Sequence, residues 1–106
     1  MDYKLFIDDL AFDPDSSERH PPAGFIAVTS SQQALSLIHF EGFPIFVSFD
    51  HDLGGDDKVM NFLYMLQQEY DLSSIKPFDY QIHSANPVGR ENIKSFMESW
   101  KKVYYG

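Results

Sequence analysis

The sequence contains no cysteine, which excludes a disulfide framework, a cysteine zinc site and a thiol nucleophile. It is also poor in basic residues, with 8 lysines and arginines against 16 acidic residues and a formal net charge of -8. This balance disfavours duplex nucleic acid as a partner, because binding to phosphate backbones needs clustered positive charge. No run approaches the roughly 18 apolar residues of a membrane span, and no charged leader precedes an apolar stretch. We therefore expect a cytoplasmic protein without membrane contact.

Apolar residues are numerous enough for one hydrophobic core. The chain has 106 residues, of which 43% are hydrophobic and 16% are aromatic. Single domains cluster near this length, and two would not fit. We expect one domain spanning residues 1–106, and these numbers leave the oligomeric state open.

Short runs of strand-forming residues alternate with helical patterns along the chain. Strands are predicted at Tyr3–Asp8, Phe25–Thr29, Pro44–Phe49 and Asp79–His83, and helices from Ser30 to Gly42, from Val59 to about Tyr70, and from Pro87 to Tyr104. Residues 13–24 carry three prolines and are predicted to form a loop. Alternating strands and helices imply right-handed crossovers. The sequence therefore predicts an α/β three-layer sandwich with a parallel sheet of about four strands, and we take the strand order to be 2-1-3-4.

Acidic residues follow two of the predicted strands at the point where each strand ends. Asp8 and Asp9 end the first strand, and Asp50 and Asp52 come after the third. In a 2-1-3-4 order these strands are neighbours, and ligands of such sheets bind where the strand order reverses. Converging carboxylates repel one another, and their hard oxygens suit Mg²⁺ or Mn²⁺. The alternative is that these acids only cap loops; their shared edge favours a divalent metal site formed by all four.

Two histidines belong to the same predicted edge. His51 lies between the two aspartates that follow the third strand, and His83 ends the fourth strand. Each could ligate a metal, act as a general acid or base, or pack against the sheet with one nitrogen bonded to backbone. We take His51, His83 and Asp50 as candidate catalytic residues and leave the purely structural role of the histidines as the open alternative.

The segment after the fourth strand has the pattern of a helix start. Asn86 can cap the helix, Pro87 fits its first turn, and Gly89 lets a ligand approach the backbone. Backbone N–H groups at the positive end of the helix dipole, the Ser84 hydroxyl and the Arg90 guanidinium together suit a phosphate. The alternative is an ordinary capped helix with Arg90 on the surface. Because phosphoryl chemistry requires a metal beside an anion site, we predict Ser84, Asn86, Gly89 and Arg90 as substrate-binding residues.

Three segments carry a family resemblance: residues 7–10, 49–54 and 83–92, which read IDDL, FDHDLG and HSANPVGREN. In this order and at these strand ends they resemble the cyclic-phosphate-processing receiver-like family, which is related to the receiver domains of response regulators. The resemblance implies a receiver-like, flavodoxin-like α/β fold. It also implies a metal held by the acids, with the histidines assisting in the processing of cyclic phosphates from RNA repair or nucleotide signalling.

Three hypotheses about function follow. The first is a metal-dependent phosphoesterase, a hydrolase of a small cyclic phosphate or cyclic nucleotide. The second is a non-catalytic module that sequesters a phosphorylated small molecule, as in a conflict between virus and host. The third is a phosphoacceptor switch at Asp50; receivers, however, hold the phosphoryl group with a lysine after a fifth strand. No fifth strand is predicted here, and Lys76 precedes the fourth.

Overall fold

Four short parallel strands form one sheet in a computed structural model that describes residues 2–9, 11, 21–50, 58–83 and 86–106. The strands are β1 (Lys4–Ile7), β2 (Phe25–Val28), β3 (Phe46–Phe49) and β4 (Asp79–Ile82). They are hydrogen-bonded in the order β2-β1-β3-β4, and every neighbouring pair is parallel. The structure thereby confirms the receiver-like α/β class, the parallel sheet and its strand order.

Three α-helices connect or follow the strands, as predicted: α1 (Ser31–Glu41), α2 (Val59–Glu69) and α3 (Pro87–Tyr105). The Ser30 hydroxyl accepts the Gln33 N–H at 3.1 Å and caps α1. The Gln33 carboxamide oxygen accepts in return from the backbone N–H of Thr29 at 2.9 Å. The helix ends at Gly42, whose φ of 87° favours glycine. Within the described part of the chain, no helix is long and apolar enough to span a membrane.

A short 3-10 helix at Leu72–Ser74 was not predicted. The Asp71 carboxylate accepts from the hydroxyls of Ser73 and Ser74 and from the backbone N–H of Ser73, and these bonds hold the pKa of Asp71 below its usual range. The buried Trp100 indole N–H donates to the carbonyl oxygens of Leu72 at 3.0 Å and Ile75 at 2.9 Å. This turn is therefore tied to α3 by the buried side chain of Trp100.

One face of the sheet carries the hydrophobic core. Side chains alternate along a strand, and Leu5, Ile7, Val47 and Phe49 all point to this face, each completely buried. The buried residues of α1, α2 and α3 belong to the same hydrophobic cluster. All three described α-helices therefore cover this one face of the sheet, so the described residues form two layers, and the third layer of the predicted sandwich is not among them.

The opposite face carries Phe6, Ser48 and Gln81, which lie side by side on β1, β3 and β4. Phe6 and Ser48 are buried although no α-helix of the described residues packs there. The loop predicted for residues 13–24 follows β1 and lies largely outside the described residues. Residues predicted as functional follow two positions further along these same strands.

Candidate functional site

Asp8, Asp50 and His83 are the first residues after β1, β3 and β4. Each donates its backbone N–H to the neighbouring strand, at 3.1, 2.9 and 2.8 Å respectively, so the sheet hydrogen bonding continues through them. Their backbone N–H groups thus pair as those within the strands do. The three side chains therefore start from fixed positions in one row.

The row lies on the face of the sheet opposite the helices. Asp8, Asp50 and His83 each come two residues after a member of the Phe6, Ser48 and Gln81 row, and side chains repeat every two residues along extended backbone. Strands β1 and β3 are also the pair at which the strand order reverses. A ligand crevice is expected at this point of a parallel sheet.

Asp8, Asp9 and Asp50 form an acidic cluster. Each offers a carboxylate oxygen, and these oxygens all lie within 4.8 Å of one another. Asp8 is completely buried, Asp50 is 6% exposed and Asp9 is half-buried. Two full charges at this separation repel by about 3.5 kcal/mol at an effective dielectric constant of about 20. The cluster thus has the hard oxygen donors and the charge that a divalent cation such as Mg²⁺ or Mn²⁺ complements.

His83 reaches across the site and contacts this cluster. Its Nε2 lies 3.0 Å from Asp8 Oδ2, and its Nδ1 lies 2.8 Å from the Ser48 hydroxyl. The imidazole stacks on the Phe6 ring at 4.7 Å between centroids, with the planes 6° apart. His83, which follows β4, therefore reaches past the intervening strand β3 and supports Asp8, which follows β1.

Ser48 and Gln81 were not predicted to belong to the site. The Gln81 side-chain amide donates to the Ser48 hydroxyl oxygen at 3.1 Å, and Ser48 is completely buried. One signal was present in the sequence: Ser48 is the only polar residue in the predicted strand Pro44–Phe49. A polar side chain in a buried strand needs a hydrogen-bond partner.

Backbone N–H groups in the first turn of α3 are hydrogen-bonded to Asn86, the residue that caps the helix. The Asn86 side-chain oxygen accepts the N–H groups of Val88 at 3.0 Å and Gly89 at 3.1 Å, the Arg90 N–H donates to the Asn86 carbonyl, and Pro87 has no N–H. These N–H groups have partners within the helix. An anion would therefore interact with the helix dipole and nearby side chains.

Arg90 is anchored at the carboxyl end of β4. Its Nη1 donates to the Ile82 carbonyl oxygen at 3.0 Å, which places the guanidinium group beside the residue that precedes His83. The predicted phosphate-binding arginine thus lies at the same edge of the sheet as the acidic cluster. Three other predicted site residues, His51, Asp52 and Ser84, lie outside the described residues.

A parallel 2-1-3-4 sheet with aspartates after β1 and β3 defines a receiver-like α/β domain. The family model described as the cyclic-phosphate processing receiver domain matches residues 3–99. The chain belongs to this family, as its motifs predicted.

In fold, the chain is similar to a solved structure described as a yeast Spc42 trimeric coiled-coil segment, amino acids 181–211, fused to another structure. The TM-score is 0.58 at 13% sequence identity, over 98% of this chain and 81% of that one. At this identity the likeness bears on the fold alone. No curated protein matches the chain significantly.

Proposed function

We propose that this protein is a metal-dependent phosphoesterase that opens a small cyclic phosphate or cyclic nucleotide. The observation that carries the proposal is the convergence of three carboxylates, from Asp8, Asp9 and Asp50, at the switch point of the sheet. Membership of the cyclic-phosphate processing receiver family supports the choice of substrate class. Arg90 supports the proposal further, because its positively charged guanidinium group lies at the same edge of the sheet.

The acidic cluster fits Mg²⁺ or Mn²⁺ better than a softer metal, since the described donors are carboxylate oxygens. Asp8, Asp9 and Asp50 would hold the ion, and the sequence adds Asp52 as a fourth candidate. When bound, the ion would supply Lewis-acid stabilisation of negative charge on the phosphoryl oxygens. It would also offset the charge of a cluster that otherwise repels an anionic substrate.

The remaining residues have separable tasks in this proposal. Arg90 attracts and orients the phosphate, and Asn86 holds the start of α3 beside it. His83 orients Asp8 through its Nε2. Hydrolysis forms one bond from water oxygen to phosphorus, breaks one ring phosphorus–oxygen bond and delivers a proton to the released oxygen. His51 remains the predicted group for that proton transfer.

The decisive test is turnover followed by phosphorus NMR. Purified protein would be incubated with nucleoside cyclic phosphates that have a five-membered or a six-membered phosphate ring. Each would be tested with Mg²⁺, with Mn²⁺ and with excess chelator. We expect metal-dependent conversion to a phosphomonoester. Asp50→Asn should reduce turnover by about 100-fold or more, because it removes a ligand of the metal that would stabilise negative charge on the phosphoryl oxygens.

The matched control is Asp79→Asn, which removes an exposed carboxylate at the amino end of β4, the opposite edge of the sheet. It should keep wild-type turnover. Absence of turnover across the panel with both metals would contradict the proposed activity.

One observation favours a second candidate, a module that binds a phosphorylated small molecule without changing it. Both ring nitrogens of His83 are hydrogen-bonded to completely buried side chains, Ser48 and Asp8, so the imidazole supports Asp8 without presenting a ring nitrogen to a substrate. Calorimetry would separate the candidates. A metal-dependent binding heat with recovery of the unchanged cyclic phosphate would favour the binding module, and recovery of the opened product would favour the phosphoesterase.

A further inference from the structure

Ser48 occupies the centre of a hydrogen-bonded chain below the acidic cluster. Its hydroxyl lies 2.8 Å from His83 Nδ1 and accepts the Gln81 amide N–H at 3.1 Å. Serine, histidine and aspartate recur in this order in hydrolases that use a serine nucleophile. Ser48 is completely buried, however, and no substrate could reach its oxygen. Its contribution must therefore pass through the histidine.

The direction of each hydrogen bond follows from the chemistry of the partners. A carboxylate can only accept, so His83 Nε2 donates to Asp8 Oδ2 at 3.0 Å. A neutral imidazole has one N–H, so Nδ1 accepts from the Ser48 hydroxyl. The Ser48 oxygen in turn accepts an N–H of the Gln81 side-chain amide.

Packing fixes the ring as well as its proton. Phe6 is 5% exposed and stacks on the imidazole with an angle of 6° between planes, which prevents rotation of the ring out of the sheet face. The ring position is thus determined by Phe6 below it and by Ser48 at Nδ1. The Nε2–H group is left pointing at Asp8.

We infer that Ser48 is a positioning residue of the acidic cluster: it holds His83 in the Nε2–H tautomer, and His83 in turn holds the Asp8 carboxylate in place to bind a cation. The inference deepens the proposed function and rests on it for the role of Asp8 as a metal ligand. Hydrogen-bond partners of metal ligands typically change metal affinity or activity by about 10-fold to 100-fold when removed.

The test reads the tautomer of His83 directly, in the metal-free protein. Long-range proton–nitrogen NMR on nitrogen-labelled protein at about pH 8, where imidazoles are ordinarily neutral, distinguishes a nitrogen that carries a proton from one that accepts. In wild type we expect a protonated Nε2 and an accepting Nδ1. In Ser48→Ala we expect the two nitrogen shifts to move toward the average of a tautomer mixture.

Ser31→Ala is the matched control. Ser31 is also a buried serine, 2% exposed, and its hydroxyl donates to the Lys58 carbonyl at 3.1 Å, away from the histidine. It loses a comparable hydrogen bond and should leave the His83 signals unchanged. Gln81→Met provides a second variant at an exposed position and should shift the His83 signals in the same direction as Ser48→Ala, by a smaller amount.

The Mn²⁺ affinity supplies an independent readout. Calorimetry should show about a tenfold weaker affinity in Ser48→Ala than in Ser31→Ala. A shifted tautomer without Mn²⁺ binding in any form of the protein would support the role of Ser48 toward His83 and contradict the proposed metal-dependent function. A protonated Nδ1 in wild type, or signals that neither Ser48→Ala nor Gln81→Met changes, would overturn the inference.

Discussion

Tyr3 couples the amino end of the sheet to the end of α1. Its hydroxyl donates to the Gly42 carbonyl oxygen at 2.6 Å. Burial, together with the nearby Glu41 carboxylate, raises the pKa of Tyr3 to about 12. The folded protein therefore binds this proton more tightly than the unfolded chain, in which the pKa of a tyrosine is about 10. Stability from Tyr3 is complete below about pH 10 and falls as the pH rises toward 12.

Tyr3→Phe should lower the free energy of unfolding at neutral pH by about 1 kcal/mol, the typical net value of one hydrogen bond. Between about pH 10 and 12 the variant should lose less stability than wild type, because it has no phenol to ionise. Urea denaturation across this interval measures both effects. Parallel curves for the two proteins would mean that Tyr3 does not cause the alkaline loss.

The acidic residues of the cluster could be predicted from the sequence, whereas the residues that support them through His83 could not. Asp8, Asp9 and Asp50 could be placed together because parallel strands bring their carboxyl ends to one edge. Ser48 and Gln81 could not, because their contacts depend on strand register and on the path of the His83 ring over β3. Neither the strand register nor the position of the His83 ring can be read from the spacing of residues along the sequence.

At the scale of elements, the capped start of α3 makes a contribution to the free energy of unfolding that can be measured separately. Asn86→Ala removes the side-chain oxygen that accepts the Val88 and Gly89 N–H groups and should cost about 1 kcal/mol. Asn86→Asp keeps an acceptor at the cap and adds a negative charge at the positive end of the helix dipole, so its stability should match wild type. Chemical denaturation of the three proteins tests this. Equal losses in both variants would contradict the capping role.

The regular elements were predictable for a physical reason that the short 3-10 helix lacks. Strands and α-helices repeat their apolar residues with fixed periods, and in α3 Ile93, Met97 and Trp100 recur at helical spacing and are buried. The turn at Leu72–Ser74 has no repeat. It depends on the Asp71 cap and on two carbonyl groups that meet the Trp100 indole, a contact between distant parts of the chain.

At the scale of the whole molecule, the two faces of the sheet have different tasks. One face and all three described α-helices share a single hydrophobic cluster. The other face carries His83, Ser48 and the aspartates that follow β1 and β3. Under the proposed function, the hydrophobic core and the site therefore lie on opposite sides of the same four strands, and the site residues can be changed without opening the core.

The central claim is that the acidic cluster binds a divalent cation, and Mn²⁺ tests it most directly. Anomalous diffraction from crystals grown with Mn²⁺ should show a peak about 2.2 Å from carboxylate oxygens of Asp8, Asp9 and Asp50. The peak should disappear in Asp50→Asn crystals and persist in Asp79→Asn crystals. A wild-type crystal that contains Mn²⁺ elsewhere, with no anomalous peak at these three aspartates, would contradict the account.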